Sequence, residues 1–236
     1  LSSSKPFKEF YDLELAEHLF ARKDSFMLAK KHIQIIQRSF PIPRKLKILD
    51  IPAGAGRYSK IFFEMGLQVT AVDLSEKMQI LFRKTCPGVK FYRKSVRQVK
   101  ERYPLVFSAG GLGYEKNLDS VFSKLRNIGQ KVQTKGTLIL LLRLADYLDK
   151  NEVLLFKEKK FTTCLEYNKK QRALFWHFQK NQAGSKRVSM RQSILYKTEI
   201  QQALKPLGFK DFRWTRLHKK SSPFERSYFA LTAVRQ

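Results

Sequence analysis

Apolar positions along the chain change from helical to strand spacing at points that mark out an architecture. Residues 7–40 set Phe10, Leu13, Leu15, Leu19 and Phe20, then Phe26, Leu28, Ile33, Ile35 and Ile36, with charges between them at helical spacing. That spacing predicts two amphipathic helices. Phe40-Pro41-Ile42-Pro43 ends the second, because proline has no amide hydrogen and pushes the residue before it toward extended geometry. From Leu46 short apolar runs alternate with helical patterns: a strand at Leu46–Ile51, a helix over 57–65, a strand at Gln68–Asp73, a helix over 75–84, strands at Val89–Tyr92 and Leu105–Ala109, a helix over 117–129 and a strand at Thr137–Leu142. Gly66 and Gly136 stand where a helix gives way to a strand, the place of a helix C-cap.

Continuous apolar strands separated by helices predict a parallel sheet covered on both faces, and right-handed crossovers make it doubly wound. After Arg143 the pattern turns to consecutive strands, Phe161–Asn168, Ala173–Lys180 and Lys186–Tyr196, joined by short polar turns. A helix at Thr198–Leu207 stops at Gly208, and strands at Phe209–Leu217 and Tyr228–Val234 close the chain. The expected fold is therefore α/β: a mostly parallel seven-stranded sheet with helices on both faces, a final antiparallel hairpin and an inserted antiparallel β lid. The expected division is residues 1–45 as helices covering a ligand site, 46–145 with 197–236 as the core, and 146–196 as the lid.

Composition narrows the class. With 43% hydrophobic and 28% charged residues the chain reads as globular, and it has no run of about 20 apolar residues able to span a bilayer. Cys86 and Cys164 lie far apart without metal-ligand spacing, which predicts neither a disulfide framework nor a zinc site and suits a reducing, cytoplasmic setting. The formal charge of +27 is spread out, with 26 Lys and Arg against 12 Asp and Glu in residues 1–142 and 21 against 8 in the remainder. Two readings follow, a generally basic solvated surface or a polyanionic partner such as RNA.

One segment carries chemistry. In Leu46-Lys47-Ile48-Leu49-Asp50-Ile51-Pro52-Ala53-Gly54-Ala55-Gly56-Arg57 a buried strand leads to an acid and then to a Gly-x-Gly turn that opens a helix. Glycines there permit close approach of a ligand, and the helix start offers free amides. Asp73 ends the next strand 19 residues after Gly54. Two readings stand for it: acceptor of both hydrogen bonds from a ribose diol, or cap of the helix that begins near Ser75. A nicotinamide dinucleotide fits poorly, because Ser59 holds the place of its third glycine and Asp50 would face the pyrophosphate. A sulfonium cation tolerates that carboxylate better.

The run "LDIPAGAGRYSKIFFEMGLQVTAVDLSEKM" resembles motifs I and II of class I (Rossmann-like) S-adenosylmethionine-dependent methyltransferases, with Asp50, Gly54, Gly56 and Asp73 matching. The lid and "SILYKTEIQQALKPLGFKDF" are similar to the C-terminal half of small-molecule members. The resemblance implies S-adenosylmethionine as cofactor and S-adenosylhomocysteine as product. It places Ala53, Gly54, Ala55 and Gly56 beside the methionine part, Asp73 at the ribose, and Leu74 with Met78 around the adenine. Ser95, followed by Val96, stands where the family often carries an acid near the adenine amine.

The loop after Leu105–Ala109, Gly110-Gly111-Leu112-Gly113-Tyr114-Glu115, should face the transferable methyl, since ligands of open α/β sheets sit beyond the strands' C-terminal ends. It lacks both the Asn/Asp-Pro-Pro-aromatic tetrad of base-amine methylation and a nucleophilic cysteine, and its glycines indicate either close approach or a plain flexible turn. Candidate general bases are His177, Tyr11, and Tyr114 with Glu115. Tyr167, Phe175, Trp176, Phe178 and Tyr196 are candidates for an acceptor wall or for lid packing, and Arg143 and Arg191 for pairing with an acidic acceptor. The leading expectation is methyl transfer to an oxygen or nitrogen of a small acceptor, anionic if those arginines engage it; an RNA- or ribosome-associated methyltransferase and a non-catalytic S-adenosylmethionine-binding module are the alternatives.

Overall fold

The computed structural model describes residues 17, 23–148, 151–157, 159–182, 184–185, 187–218 and 226–236. Tyr11 and all of the first expected helix but Glu17 lie outside them.

The elements are α1 (Lys23–Ser39), β1 (Lys47–Asp50), α2 (Arg57–Glu64), β2 (Gln68–Asp73), α3 (Glu76–Thr85), β3 (Lys90–Arg93), β4 (Tyr103–Ala109), α4 (Leu118–Gly129), β5 (Val132–Arg143), β6 (Glu152–Lys157), β7 (Phe161–Asn168), β8 (Ala173–Lys180), β9 (Val188–Ser193), α5 (Lys197–Leu204), β10 (Phe209–Arg216) and β11 (Tyr228–Arg235). Seven strands form one sheet in the order β10-β11-β5-β4-β1-β2-β3. β3, β2, β1, β4 and β5 run parallel, and β11 is antiparallel to both β5 and β10. The α/β fold and its closing hairpin are as expected.

Strand periodicity builds the two faces. On β5, Leu138, Leu140 and Leu142 enter one core with Val121, Leu125 and Ile128 of α4 and Ile200 and Leu204 of α5. Ile139 and Leu141 enter the other, with Ile33 and Ile36 of α1 and Ile61 and Phe62 of α2. Leu105, Val106 and Phe107 of β4 are wholly inaccessible, each contributing roughly 1.5–3 kcal/mol of burial. These central strands therefore hold their C-terminal ends in fixed positions, and the turns that follow them are the ones that can shape a site.

Two details differ from the reading of the sequence. Gly136 is not a helix C-cap but lies inside β5, where an added Cβ would fall 2.9 Å from the Gln133 carbonyl and 3.0 Å from that of Pro104. The pairing is irregular there, Tyr103 facing Val132 and Leu105 facing Thr137, so extra residues bulge out and imitate a helix-to-strand turn. Gly66, with φ +83, does end α2. The second sheet has four antiparallel strands, in the order β6-β7-β8-β9, instead of three. The unforeseen β6 is an edge strand bonded to β7 alone, and its Leu154-Leu155-Phe156 run lacks alternation in the sequence.

Candidate active site

The turn after β1 extends the ladder before it breaks away: Ile51 N donates to Phe107 O and Ala53 N to Val72 O, both at 2.9 Å. The two glycines then serve different purposes. Gly54 has φ +55 and open space where a Cβ would be, so its bare backbone faces the cavity. Gly56 has φ +86 and would push a Cβ to 2.9 Å from the ring of Phe82, so its requirement is packing of α3 against the turn.

Asp73 ends β2 with its carboxylate turned back over this bend. Gly54 N donates to Oδ2 and Ser75 N to Oδ1, each at 2.9 Å. Burial raises its pKa, against the amides of Ser75, Gly54 and Leu74 and the charge of Lys124. Capping of α3 falls to Ser75, whose Oγ accepts from Met78 N at 3.3 Å. Asp50, by contrast, is sealed inside: Ser59 Oγ donates to its Oδ2 at 2.6 Å, and burial pushes its pKa up to about 7 despite that bond.

Two cavities meet at Asp73, sharing Pro52, Asp73 and Gly111. The first, about 550 Å³, is lined by Leu74, Ser95 and Val96 on one side and by α4 residues such as Ser123 and Asn127 on the other. The second, about 420 Å³, is lined by Ala53, Gly54, Ala55 and Met78, by His32 and Tyr58, and by Trp176 and Phe178 of β8. The loop after β4 is clamped between them. A Cβ on Gly111 would fall 2.0 Å from Cγ of Pro52, and one on Gly113 2.4 Å from the carbonyl of Ser193. Close approach, rather than plain flexibility, accounts for these two glycines.

Residues 49–139 match a sequence-family model described as a methyltransferase domain. Over nearly its whole length the chain is similar to solved methyltransferases. CcbJ from Streptomyces caelestis superposes with a TM-score of 0.71 at 14% identity, covering 88% of this chain and 90% of that one. The sugar N-methyltransferase KedS8 from Streptoalloteichus sp. gives 0.66 at 15%, covering 100% and 98%. CalS10 from Micromonospora echinaspora, an amino pentose methyltransferase solved with S-adenosylmethionine bound, gives 0.64 at 16%, covering 96% and 98%. The fold is that of the class I S-adenosylmethionine-dependent methyltransferases. No curated protein matches the chain by sequence.

Within this methyltransferase fold the residues singled out in the sequence separate. Ala53, Gly54, Ala55 and Met78 border the smaller cavity, Leu74, Ser95 and Val96 the larger, and Asp73 both. Leu74 and Met78, set together around the adenine by the resemblance, line different cavities, because the first turn of α3 sends Met78 inward against Ala55, Leu81 and Phe178 while Leu74 stays exposed. Asp50 and Gly56 line neither cavity. Ser95 is taken up in a cap with Gln98, whose Oε1 receives its amide at 2.8 Å and its hydroxyl at 3.1 Å.

His177 also lines neither cavity. β8 alternates, so Trp176 and Phe178 point to the smaller cavity while His177 stacks on Phe175 and bonds Ser189 Oγ through Nδ1 at 2.7 Å. Tyr114 does line the smaller cavity, and burial raises its pKa. Among the other lid candidates, Tyr167 packs against Leu165 and Leu174 with Tyr196 beside them, and Arg191 bonds Ser193 Oγ at 2.9 Å. Arg143 borders the cavity, its guanidinium 5.8 Å from the Trp176 ring and 5.3 Å from that of Tyr228. Among the lining residues that were not anticipated are His32, Tyr58, His218 and Tyr228. Tyr58 lies two residues after Gly56, which is the single local clue; the others come from distant segments. Among the described residues no cluster of His, Cys, Asp and Glu suits a metal ion, and no helix is long and apolar enough to cross a membrane.

Proposed function

We propose that the chain binds S-adenosylmethionine across the junction of the two cavities and transfers its methyl group to an oxygen or nitrogen of a small molecule held beneath the four-stranded sheet. The observation that carries this reading is the carboxylate of Asp73, which stands at the shared wall beside the open backbone of Gly54. The carboxylate accepts the Gly54 amide on Oδ2 and the Ser75 amide on Oδ1, with the Leu74 amide also acting on it, and of its roughly four lone-pair sites one remains for a ribose hydroxyl. Leu74, Ser95 and Val96 would then border the adenine, and Ala53, Gly54 and Ala55 the methionine part. When bound, the cofactor supplies an activated methyl on a sulfonium, open to in-line displacement.

The chain's own contribution is position and exclusion of water. Alignment at near-attack distance can account for much of the acceleration of such a displacement. Trp176 Nε1 donates to Gln192 Oε1 at 3.2 Å, and Gln192 Nε2 to Leu112 O at 3.2 Å, so the lid is tied to the loop that faces the reaction. A cavity of about 420 Å³ walled by aromatic rings suits a small acceptor more than a polynucleotide, which needs an open basic surface. Similarity to enzymes named for amino pentose and sugar nitrogen methylation supports a sugar-sized acceptor.

Equilibrium titration with S-adenosylmethionine, followed by a metabolite-extract screen with isotopically labelled methyl donor, tests both parts. Binding and a labelled small product are expected. Label found in RNA alone would replace the small acceptor with a polynucleotide, and binding without transfer to either pool would leave a binding module.

A further inference from the structure

The end of the main sheet away from the cavities is lined with cations. β1, β2, β3, β4, β5 and β10 all start there, and antiparallel β11 finishes there. Lys210 lies at the start of β10, Arg235 at the end of β11 and Lys135 in the first part of β5. Arg102 precedes β4, Lys45 and Lys47 lie at the start of β1, and Lys90 opens β3. All are exposed except Arg235, which is half-buried. Among the described residues the carboxylates at this end are Glu64, Glu101 and Asp211, and Glu64 is taken by Lys60 at 3.3 Å. None of these cations makes an ion pair among the described residues, whereas at the opposite end Arg93 pairs with Glu76 at 3.2 Å and Lys124 with Glu115 at 2.6 Å.

Two further observations set this end apart from a merely solvated surface. Lys45 and Lys135 hold left-handed backbone, with φ +62 and +61, a conformation that glycine adopts freely and lysine only at a cost. Lysine stands at both positions although neither side chain makes a hydrogen bond or ion pair among the described residues. The cations are also crowded. Burial first, and then the charge of Arg102, lower the pKa of both Lys131 and Arg235. Like charges gathered in this way repel one another until an anion lies among them.

We propose that this end of the sheet is a docking face for a nucleic-acid duplex, held by its phosphates. Seven strands about 4.8 Å apart make the row of cations roughly 29 Å long, and a duplex sets a phosphate about every 3.4 Å of its axis on each strand, so several meet cations at once. An unpaired strand calls for exposed rings on which its bases stack, and a membrane for apolar side chains to insert. Of the large apolar side chains exposed among the described residues, Phe63 is the one at this end, and its ring lies against Gly88, where a Cβ would fall 3.2 Å from Cζ. Contact through phosphates alone reads no bases, so RNA and DNA duplexes bind alike. β4 carries the chain about 20 Å from this face to the loop at the cavities, so the duplex docks out of reach of the methyl group and is not the acceptor.

Short RNA and DNA duplexes of one sequence, titrated into the full chain by fluorescence anisotropy without cofactor, test the face independently of the methyl-transfer reading. Lys45→Gln, Lys90→Gln, Lys135→Gln and Lys210→Gln combined should weaken both duplexes about 100-fold at roughly 0.1 M salt, and lower the slope of log affinity against log salt by about 3 to 4. A matched set on the lid, Lys157→Gln, Lys159→Gln, Lys169→Gln and Lys170→Gln, should stay within about threefold of the parent, because salt screens charges that distant. Lys45→Gly with Lys135→Gly should also weaken duplex binding without lowering the melting temperature, which separates lost charge from lost fold. Equal losses in the two lysine sets would overturn the face, as would no duplex binding by the parent at low salt or binding to phosphatidylserine vesicles in its place. Tighter binding of the unpaired strand would overturn the duplex as its occupant.

Discussion

The two cavities that meet at Asp73 are built in opposite ways. In the larger, lined by turns and one face of α4, most polar groups find partners close by in sequence, Ser95 with Gln98, Asn117 with the amide of Ser120, Lys124 with Glu115 and the carbonyl of Gly111, and the longest reach is Arg97 to Ser123. The smaller draws its polar groups from α1, α2, β5, β8, β11 and the segment after β10, and these bond one another across as many as 186 residues. Local turns form a binding surface that survives changes elsewhere in the chain. A cavity closed by distant elements depends on their mutual docking, and so responds to a change in any one of them.

Gly111 lies where this comparison can be broken most severely. Gly111→Val would drive a side chain into Pro52 at the wall common to both cavities. Destabilisation of about 1–3 kcal/mol and more than 100-fold weaker binding of S-adenosylmethionine are expected, by thermal unfolding and calorimetry. Parental affinity would show the two cavities to be independent. Next, Asp73→Ala should lose about 1.5–3 kcal/mol of cofactor binding, roughly 10- to 150-fold, from a charged hydrogen-bonding group. An unchanged dissociation constant would dismiss it as a ribose ligand.

The smaller cavity should also show itself in the pH dependence of stability. His32 is neutral in the fold, with its pKa lowered to about 3, while the unfolded chain takes up the proton near 6.5. The unfolded state thus binds more protons between these values. This contribution is whole above about pH 6.5 and declines as pH falls toward 3, by on the order of 2–3 kcal/mol between 6.5 and 4. Denaturation of His32→Phe should lack that part of the slope; retention of the full slope would place the titration elsewhere. The smallest effect belongs to His177→Ala. Because that ring faces away from both cavities, cofactor affinity and methyl-transfer rate should stay within twofold and stability within about 0.5 kcal/mol. A tenfold loss of rate would bring it back as a catalytic candidate.

What could be read in the residues follows the same division. The glycine turn, the acid ending β2 and the alternation of strand and helix stood out because each is written within about thirty residues. His177 drew attention as a histidine in an alternating strand, but periodicity of two says only that His177 and Trp176 face opposite ways. Which of them faces inward was settled by docking of the lid, through Gln192 and the bond from Ser193 N to Gly113 O at 2.7 Å. Leu74 and Met78 are paired by the family resemblance, yet one lies in the turn before α3 and the other in its first turn, and they line different cavities.

The sequence alone determined the order and kind of the core elements, the bend after β1 and the carboxylate beside it, because hydrophobic periodicity and glycine conformation act over a few residues. Tertiary structure alone decided the bulge at Gly136, the added strand β6, the sealing of Asp50 behind Ser59 and the meeting of Tyr228, Tyr58, His32 and His218. Each of these rests on contacts between segments far apart along the chain. Burial and hydrogen-bond partnership there arise from packing, and no short stretch of residues carries them.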